Sequence, residues 1–365
     1  MKKAVVLGMI LLALGTLAYA DASIGFGFGR TQFVIAQGSD VSGSDITTGW
    51  VGFPPSDWPP APRENLDIAW SGDHTAFHLT GYLDGTVLSW VGIYGTLKLM
   101  PDMFSVLIGE FNNDGWDTFR KTSPHPIHDQ NNGNVGRFSG YGVIFDVAPK
   151  DSGFELGVMI KTGDPSAKAF KLNALLEGQL TADADGSPAT IEETLTNTNI
   201  GASYTVPNTV KVVAGSTTGT LYRASRNIFG RLELLMVPNL TAWADVKYDG
   251  FDLPTKVSNI NAELAGAYDM KPMTLVLAAQ FGSNDKVTSF TVFPEVYYNM
   301  GAFTLGLYAS VGASDTSAFS DTMVYVVEPY VKLNDFNTRI SFMYKHDAAA
   351  DLSQWQIPVL IDWGF

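Results

Sequence analysis

Residues 354–365 read QWQIPVLIDWGF, and the parity of this stretch decides the fold. Trp355, Ile357, Val359, Ile361, Trp363 and Phe365 occupy odd positions. Gln354, Gln356, Asp362 and Gly364 occupy even ones, with Pro358 and Leu360 between them. A period of two belongs to a strand with two unlike faces. One face here is apolar out to the last residue. Chain ends are ordinarily polar and frayed, so this face expects something other than water along it.

The other end of the chain restricts the compartment. Lys2 and Lys3, the apolar run Ala4–Leu17 and the small-residue site Ala18-Tyr19-Ala20 read as a secretory signal peptide over 1–20, cleaved before Asp21. That leaves 21–365 as a single domain. No later segment reaches the roughly 18 uninterrupted apolar residues of a spanning helix. With no cysteine, an exported chain must be stabilised by size or by closure of its sheet. The formal charge of −14 becomes −16 without Lys2 and Lys3, which argues against a nucleic-acid partner. Apolar residues make up 45% and charged residues only 16%, against about 25% in ordinary soluble chains. Too few charges and no spanning helix suit a barrel whose outer wall faces lipid.

Alternation recurs along the whole domain. Ile260, Ala262, Leu264, Gly266 and Tyr268 oppose Asn261, Glu263 and Asp269. Phe336, Thr338, Ile340, Phe342 and Tyr344 oppose Asn337, Arg339, Ser341 and Lys345. Tight breaks at Met100-Pro101-Asp102, Val206-Pro207-Asn208, Val237-Pro238-Asn239 and Met270-Lys271-Pro272 suit antiparallel hairpins. Longer polar loops, the largest near 38–63, 112–137 and 163–196, fall between them. The expected fold is therefore all-β: a transmembrane antiparallel up-and-down β-barrel of about 18 strands, with 16 as the alternative. An even count places every Pro-Asn or Pro-Asp turn at the end that holds both termini. Three prolines, Pro294, Pro329 and Pro358, fall inside strands with neighbours on both sides, where a missing N–H is costly unless a bulge accommodates it.

Aromatics on the apolar face recur eight residues apart: Phe290 with Tyr298, Phe336 with Tyr344, Trp355 with Trp363. Eight tilted steps span about 20 Å, close to the apolar band of about 25 Å between aromatic girdles. On these residues the chain resembles a Gram-negative-type outer-membrane β-barrel of the broad porin class. The resemblance implies short periplasmic turns, long extracellular loops and residence in the outer membrane of a diderm bacterium. It also implies that Ile357, Val359, Ile361, Trp363 and Phe365 form the signal read by the barrel-assembly machinery.

Motifs of catalysis are missing: no G-x-S-x-G, H-E-x-x-H or P-loop occurs. His125 and His128 lie in a polar loop without a further ligand at metal spacing. Asp183, Asp185 and Glu192 take the third, fifth and twelfth places of a weak calcium-loop match, but Thr181 stands where Asp is expected. The informative constellation is the polar strand face: Glu155, Lys161, Lys211, Arg231, Glu233, Asp245, Lys247, Glu263, Glu295, Glu328, Lys332, Arg339, Lys345 and Asp362. A midplane Arg or Lys facing lipid costs about 2–4 kcal/mol, so these side chains are expected to line the interior. About 18 strands enclose room for water, and fixed charges in a wet lumen select ions and small solutes. The expected function is an outer-membrane channel for passive diffusion of ions and small hydrophilic solutes, with no enzymatic reaction and no cofactor. The alternative is a surface barrel that anchors loops for adhesion or ligand binding.

Overall fold

A computed structural model describes residues 21–39, 43–45, 64–84, 87–111, 119, 138, 140–161, 198–218, 226–249, 259–284 and 287–363. Side chains are described for most of these from Ala69 onward. The expected signal peptide, His125, His128, the calcium-loop candidate at Asp183, Asp185 and Glu192, and the terminal Phe365 lie outside the described residues.

The described chain forms one antiparallel meander. Its strands are β1 (Asp21–Ser39), β2 (Glu64–Ser71), β3 (Thr75–Asp84), β4 (Val87–Met100), β5 (Phe104–Glu110) and β6 (Tyr141–Val147). They continue as β7 (Phe154–Lys161), β8 (Thr198–Val206), β9 (Val210–Thr218), β10 (Arg226–Leu234), β11 (Leu240–Asp249) and β12 (Asn259–Asp269). The last six are β13 (Met273–Ser283), β14 (Thr288–Asn299), β15 (Phe303–Ala313), β16 (Met323–Leu333), β17 (Thr338–Ser341 with Met343–Asp347) and β18 (Leu352–Trp363). Each strand pairs with the next, and β18 pairs with β1 from Gly29↔Trp363 to Ser39↔Gln354. The ring is closed by 18 strands, which removes the sheet edges that would otherwise invite aggregation. A three-residue ladder at Gly43–Asp45 extends the far end of β1.

The proline-containing tight turns gather at one end, with Asp21 and the end of β18, while the opposite end also has short connections, between β3 and β4, β13 and β14, and β17 and β18. Two of them repeat one solution. In Val206-Pro207-Asn208-Thr209 and Val237-Pro238-Asn239-Leu240 the fourth N–H donates to the first carbonyl, at 3.1 and 3.2 Å. Asn208 and Asn239 have φ of 53° and 62°. Proline pre-sets the second position of such a turn, and Asn tolerates positive φ at the third.

Each of the three prolines coincides with an interruption. The β14–β15 ladder runs from Val292↔Val311 to Glu295↔Tyr308 and skips Pro294. Opposite Pro329, β17 breaks at Phe342, although Phe342 N still donates to the Pro329 carbonyl at 3.1 Å. Pro358 sits beside the bulge between Val34 and Ala36. The expected bulge is thus found for Pro358, whereas the other two are accommodated by gaps without change of register. The aromatic spacing also needs one adjustment: Phe336 lies in the 3-10 turn Asn334–Phe336 rather than in the strand, which begins at Thr338.

The faces separate by parity. Ile260, Leu264 and Tyr268 are exposed on the outside of β12, while Glu263 and Ala265 between them are buried. Leu275, Leu277 and Phe281 on β13, and Leu305, Leu307 and Val311 on β15, repeat the exposed apolar face. Inside, two apolar clusters pack. One joins Trp243, Ala265, Ala278, Phe293, Tyr308, Val326 and Met343. The other joins strand residues such as Leu107, Ile144, Met159, Val213 and Phe229 to Phe119 and Phe138, which belong to the β5–β6 connection.

Candidate functional site

The inner wall is the candidate site. All of the residues expected to line a pore fall on strands of the ring: Glu155 and Lys161 on β7, Lys211 on β9, Arg231 and Glu233 on β10, Asp245 and Lys247 on β11, Glu263 on β12, Glu295 on β14, Glu328 and Lys332 on β16, Arg339 and Lys345 on β17, and Asp362 on β18. The side chain of Asp362 lies outside those described; its backbone pairs with Arg30. The assembly-signal residues Ile357, Val359 and Ile361 are half-buried on the face of β18 opposite the buried Gln356 and Pro358.

Register brings these charges into two groups. In the first, Arg231, Asp245 and Glu263 are direct cross-strand neighbours on β10, β11 and β12, followed by Gln280 on β13 and Thr291 on β14. Arg231 Nε bonds Glu233 Oε1 at 3.0 Å, and Lys247 Nζ lies 3.1 Å from Asp249 Oδ2. In the second, Glu295, Tyr308 and Glu328 align across β14, β15 and β16. The Tyr330 hydroxyl donates to Glu295 Oε1 at 2.7 Å, and Arg339 Nη2 lies 3.4 Å from Glu328 Oε1. Arg339 also sits over the Tyr330 ring, 5.9 Å from its centroid. Glu155 and Lys161 belong to neither group.

Burial divides these charges. Arg231, Glu233, Asp245, Glu263, Glu295, Glu328 and Arg339 are each exposed by 9% or less. Lys247, Lys332 and Lys345 are more open. The deep charges are packed between inward aromatics, Trp243, Phe293 and Tyr308, rather than hanging in open water. Buried charges cost several kcal/mol each unless paired, and pairing is what the two groups provide.

One cavity, of about 220 Å³, lies against the first group. Its polar lining includes Asp245, Lys247, Asn261, Glu263, Gln280, Ser289 and Thr291. The neutral members share the inward parity of the charges, so alternation alone could have marked them. Phe119 and Phe138 carry no such signal. Phe119 packs where a Cβ on the inward Gly201 would stand, so that part of the β5–β6 connection enters the barrel.

No protein-family model matches the chain, and no curated protein matches it in sequence. Solved structures do. Pseudomonas aeruginosa OccK10 (OpdN) aligns over 94% of this chain and 100% of its own at 12% identity, with a TM-score of 0.51. Pseudomonas aeruginosa OccK3 (OpdO) aligns over 94% of this chain and 96% of its own at 9% identity, with a TM-score of 0.52. At these identities the likeness establishes the fold, which is the 18-stranded porin-type barrel.

Proposed function

We propose that the chain is a channel of the outer membrane of a diderm bacterium, through which ions and small hydrophilic solutes diffuse passively. The observation that carries this reading is the segregation of the two faces: Leu264 is 58% exposed on the outside, and its neighbour Glu263 is 7% exposed on the inside. A closed barrel with an apolar exterior is at its lowest free energy in lipid, and a charged interior is then at its lowest with water beside it. In this reading residues 1–20 are removed on export, the odd-numbered residues of β18 address the chain to the assembly machinery, and no covalent reaction is involved.

The packed clusters around Phe119, Phe138 and Trp243 favour a second reading for the same barrel. If they close the lumen, the barrel anchors its loops at the cell surface instead. Swelling of liposomes loaded with the purified protein separates the two. A channel lets sugars and amino acids enter at rates that fall with solute size; an anchor leaves the liposomes as tight as protein-free ones.

A further inference from the structure

The outward positions of β15 to β18, from Phe303 to Ile361, carry no Asp, Glu, Lys or Arg. Register nevertheless gathers four hydrogen-bonding side chains on this face, near the end where β17 connects to β18. Tyr325, His346 and Ser353 form one cross-strand row over β16, β17 and β18. Tyr344 and Trp355 are neighbours in the next outward row. All five are half-buried. The Tyr344 hydroxyl donates to Ser353 Oγ at 3.1 Å, and His346 Nδ1 lies 3.0 Å from the same oxygen. The Tyr325 ring packs against both aromatic neighbours, 5.9 Å from Tyr344 and 5.3 Å from His346 between centroids. Trp355 stacks on Phe342 at 6.2 Å. Among the described residues His346 makes no hydrogen bond beyond that of Nδ1, so Nε2 is left for a partner outside the chain.

The height of the cluster points to that partner. Down β17 from His346, the outward face runs through the exposed Phe342 and Ile340 to Thr338. Those eight tilted steps span about 20 Å, close to the apolar band of such a barrel. The cluster therefore stands at the upper edge of the band, where hydrocarbon gives way to headgroups. A hydrogen-bonding group facing hydrocarbon without a partner is costly, and a headgroup supplies one. Tyr, Ser and His side chains can each donate and accept, as sugar hydroxyls do. A phosphate would call for Arg or Lys, and an ammonium for a carboxylate, and this face has neither. The rings of Tyr325 and Trp355 add flat apolar surface with a polar end, which suits the C–H face of a sugar ring. We propose that this cluster is a binding site for the sugar headgroup of a glycolipid in the outer leaflet.

The assignment of the leaflet rests on the outer-membrane reading, with the long loops outside; the binding itself does not rest on an open lumen. Native mass spectrometry of the full-length barrel released from nanodiscs compares three probes: monoglucosyl diacylglycerol, diacylglycerol and phosphatidylethanolamine. The glucolipid should be retained as one tightly held copy, in preference to both others. His346→Phe and Ser353→Ala should each cut its retention about fivefold, the size of one lost neutral hydrogen bond. Tyr325→Phe keeps the ring and removes the hydroxyl, so it tests the site without disturbing the packing if the other variants do not fold. Leu305→Ala, at the opposite edge of the band, should change nothing. Equal retention of diacylglycerol, tighter retention of phosphatidylethanolamine, or unchanged retention in the folded variants would each overturn the site. A barrel that conducts but shows no preference for the glucolipid overturns the site alone. One that retains the glucolipid but passes no current leaves the site standing and removes the channel reading.

Discussion

The hydroxyl of Tyr330 on β16 donates to Glu295 on β14, reaching over the whole of β15 to do so. Gly306 makes the reach possible. It pairs with Tyr330 on one side and Tyr297 on the other, and a Cβ built on it would overlap the Tyr330 ring and hydroxyl. The ring therefore lies flat along the wall in the space a side chain would take. Arg339 covers it from β17 and faces Glu328 at 3.4 Å. Four consecutive strands are tied from inside at this level.

Gly306→Ala should displace Tyr330 and break its bond to Glu295. Overpacking costs about 1–3 kcal/mol, and loss of a hydrogen bond to a charged partner about 1.5–3 kcal/mol. Tyr330→Phe should show only the second loss. Because both act on one contact, the double variant should fall short of the sum. Denaturant unfolding in detergent micelles measures all three, and full additivity would mean the two residues do not share a contact.

Leu264→Arg and Glu263→Arg place the same side chain at adjacent positions with opposite outcomes. The first puts a charge against lipid near the middle of β12, at a cost of about 2–4 kcal/mol. The second keeps it inside, beside Asp245. Refolding yield into lipid vesicles should fall sharply for Leu264→Arg and much less for Glu263→Arg. Equal losses would invert or abolish the assignment of faces.

That assignment was legible in the sequence because a strand in a barrel wall has only two faces, and a period of two is all it takes to name them. The strand count and the end that holds the proline turns followed from the same alternation together with Pro-Asn punctuation; the short connections at the other end, such as that between β17 and β18, have no proline to mark them. The depth of the charges was not legible. Parity puts Glu263 and Lys345 on one face, yet Glu263 is buried beside Ala265 and Lys345 is half-open. The difference depends on which side chains fill the interior at each height, and Phe119 reaches there from a connection with no period to read. The Tyr330–Glu295 bond depends on register across three strands, and local sequence does not carry that. The break at Phe342 became visible only once Pro329 stood opposite it.

Glu328 and Glu263 should part company when neutralised. Glu328 is fully buried against Arg339, and breaking a buried pair by removing one partner costs about 3–5 kcal/mol. Glu328→Gln should therefore lower stability. Glu263 lines the cavity, so Glu263→Gln should chiefly move the reversal potential in a salt gradient toward anions. Raising salt should shrink that movement, because the screening length falls from about 30 Å at 0.01 M to about 3 Å at 1 M.

Removal of Phe365 should reduce the folded barrel recovered from outer membranes while the exported, signal-cleaved chain still accumulates. Cell fractionation with heat-modifiable migration separates the two quantities. Unchanged recovery of folded barrel would show that the apolar end of β18 serves lipid contact alone.

The central claim is that water and ions pass through the closed ring. Single-channel recording of the purified protein in a planar bilayer tests it most directly. The account predicts discrete conductance steps that grow with salt concentration, and that are smaller than those of an unobstructed ring of this strand number because the apolar clusters narrow the passage. A folded, membrane-inserted barrel that gives no steps at any salt concentration would contradict it.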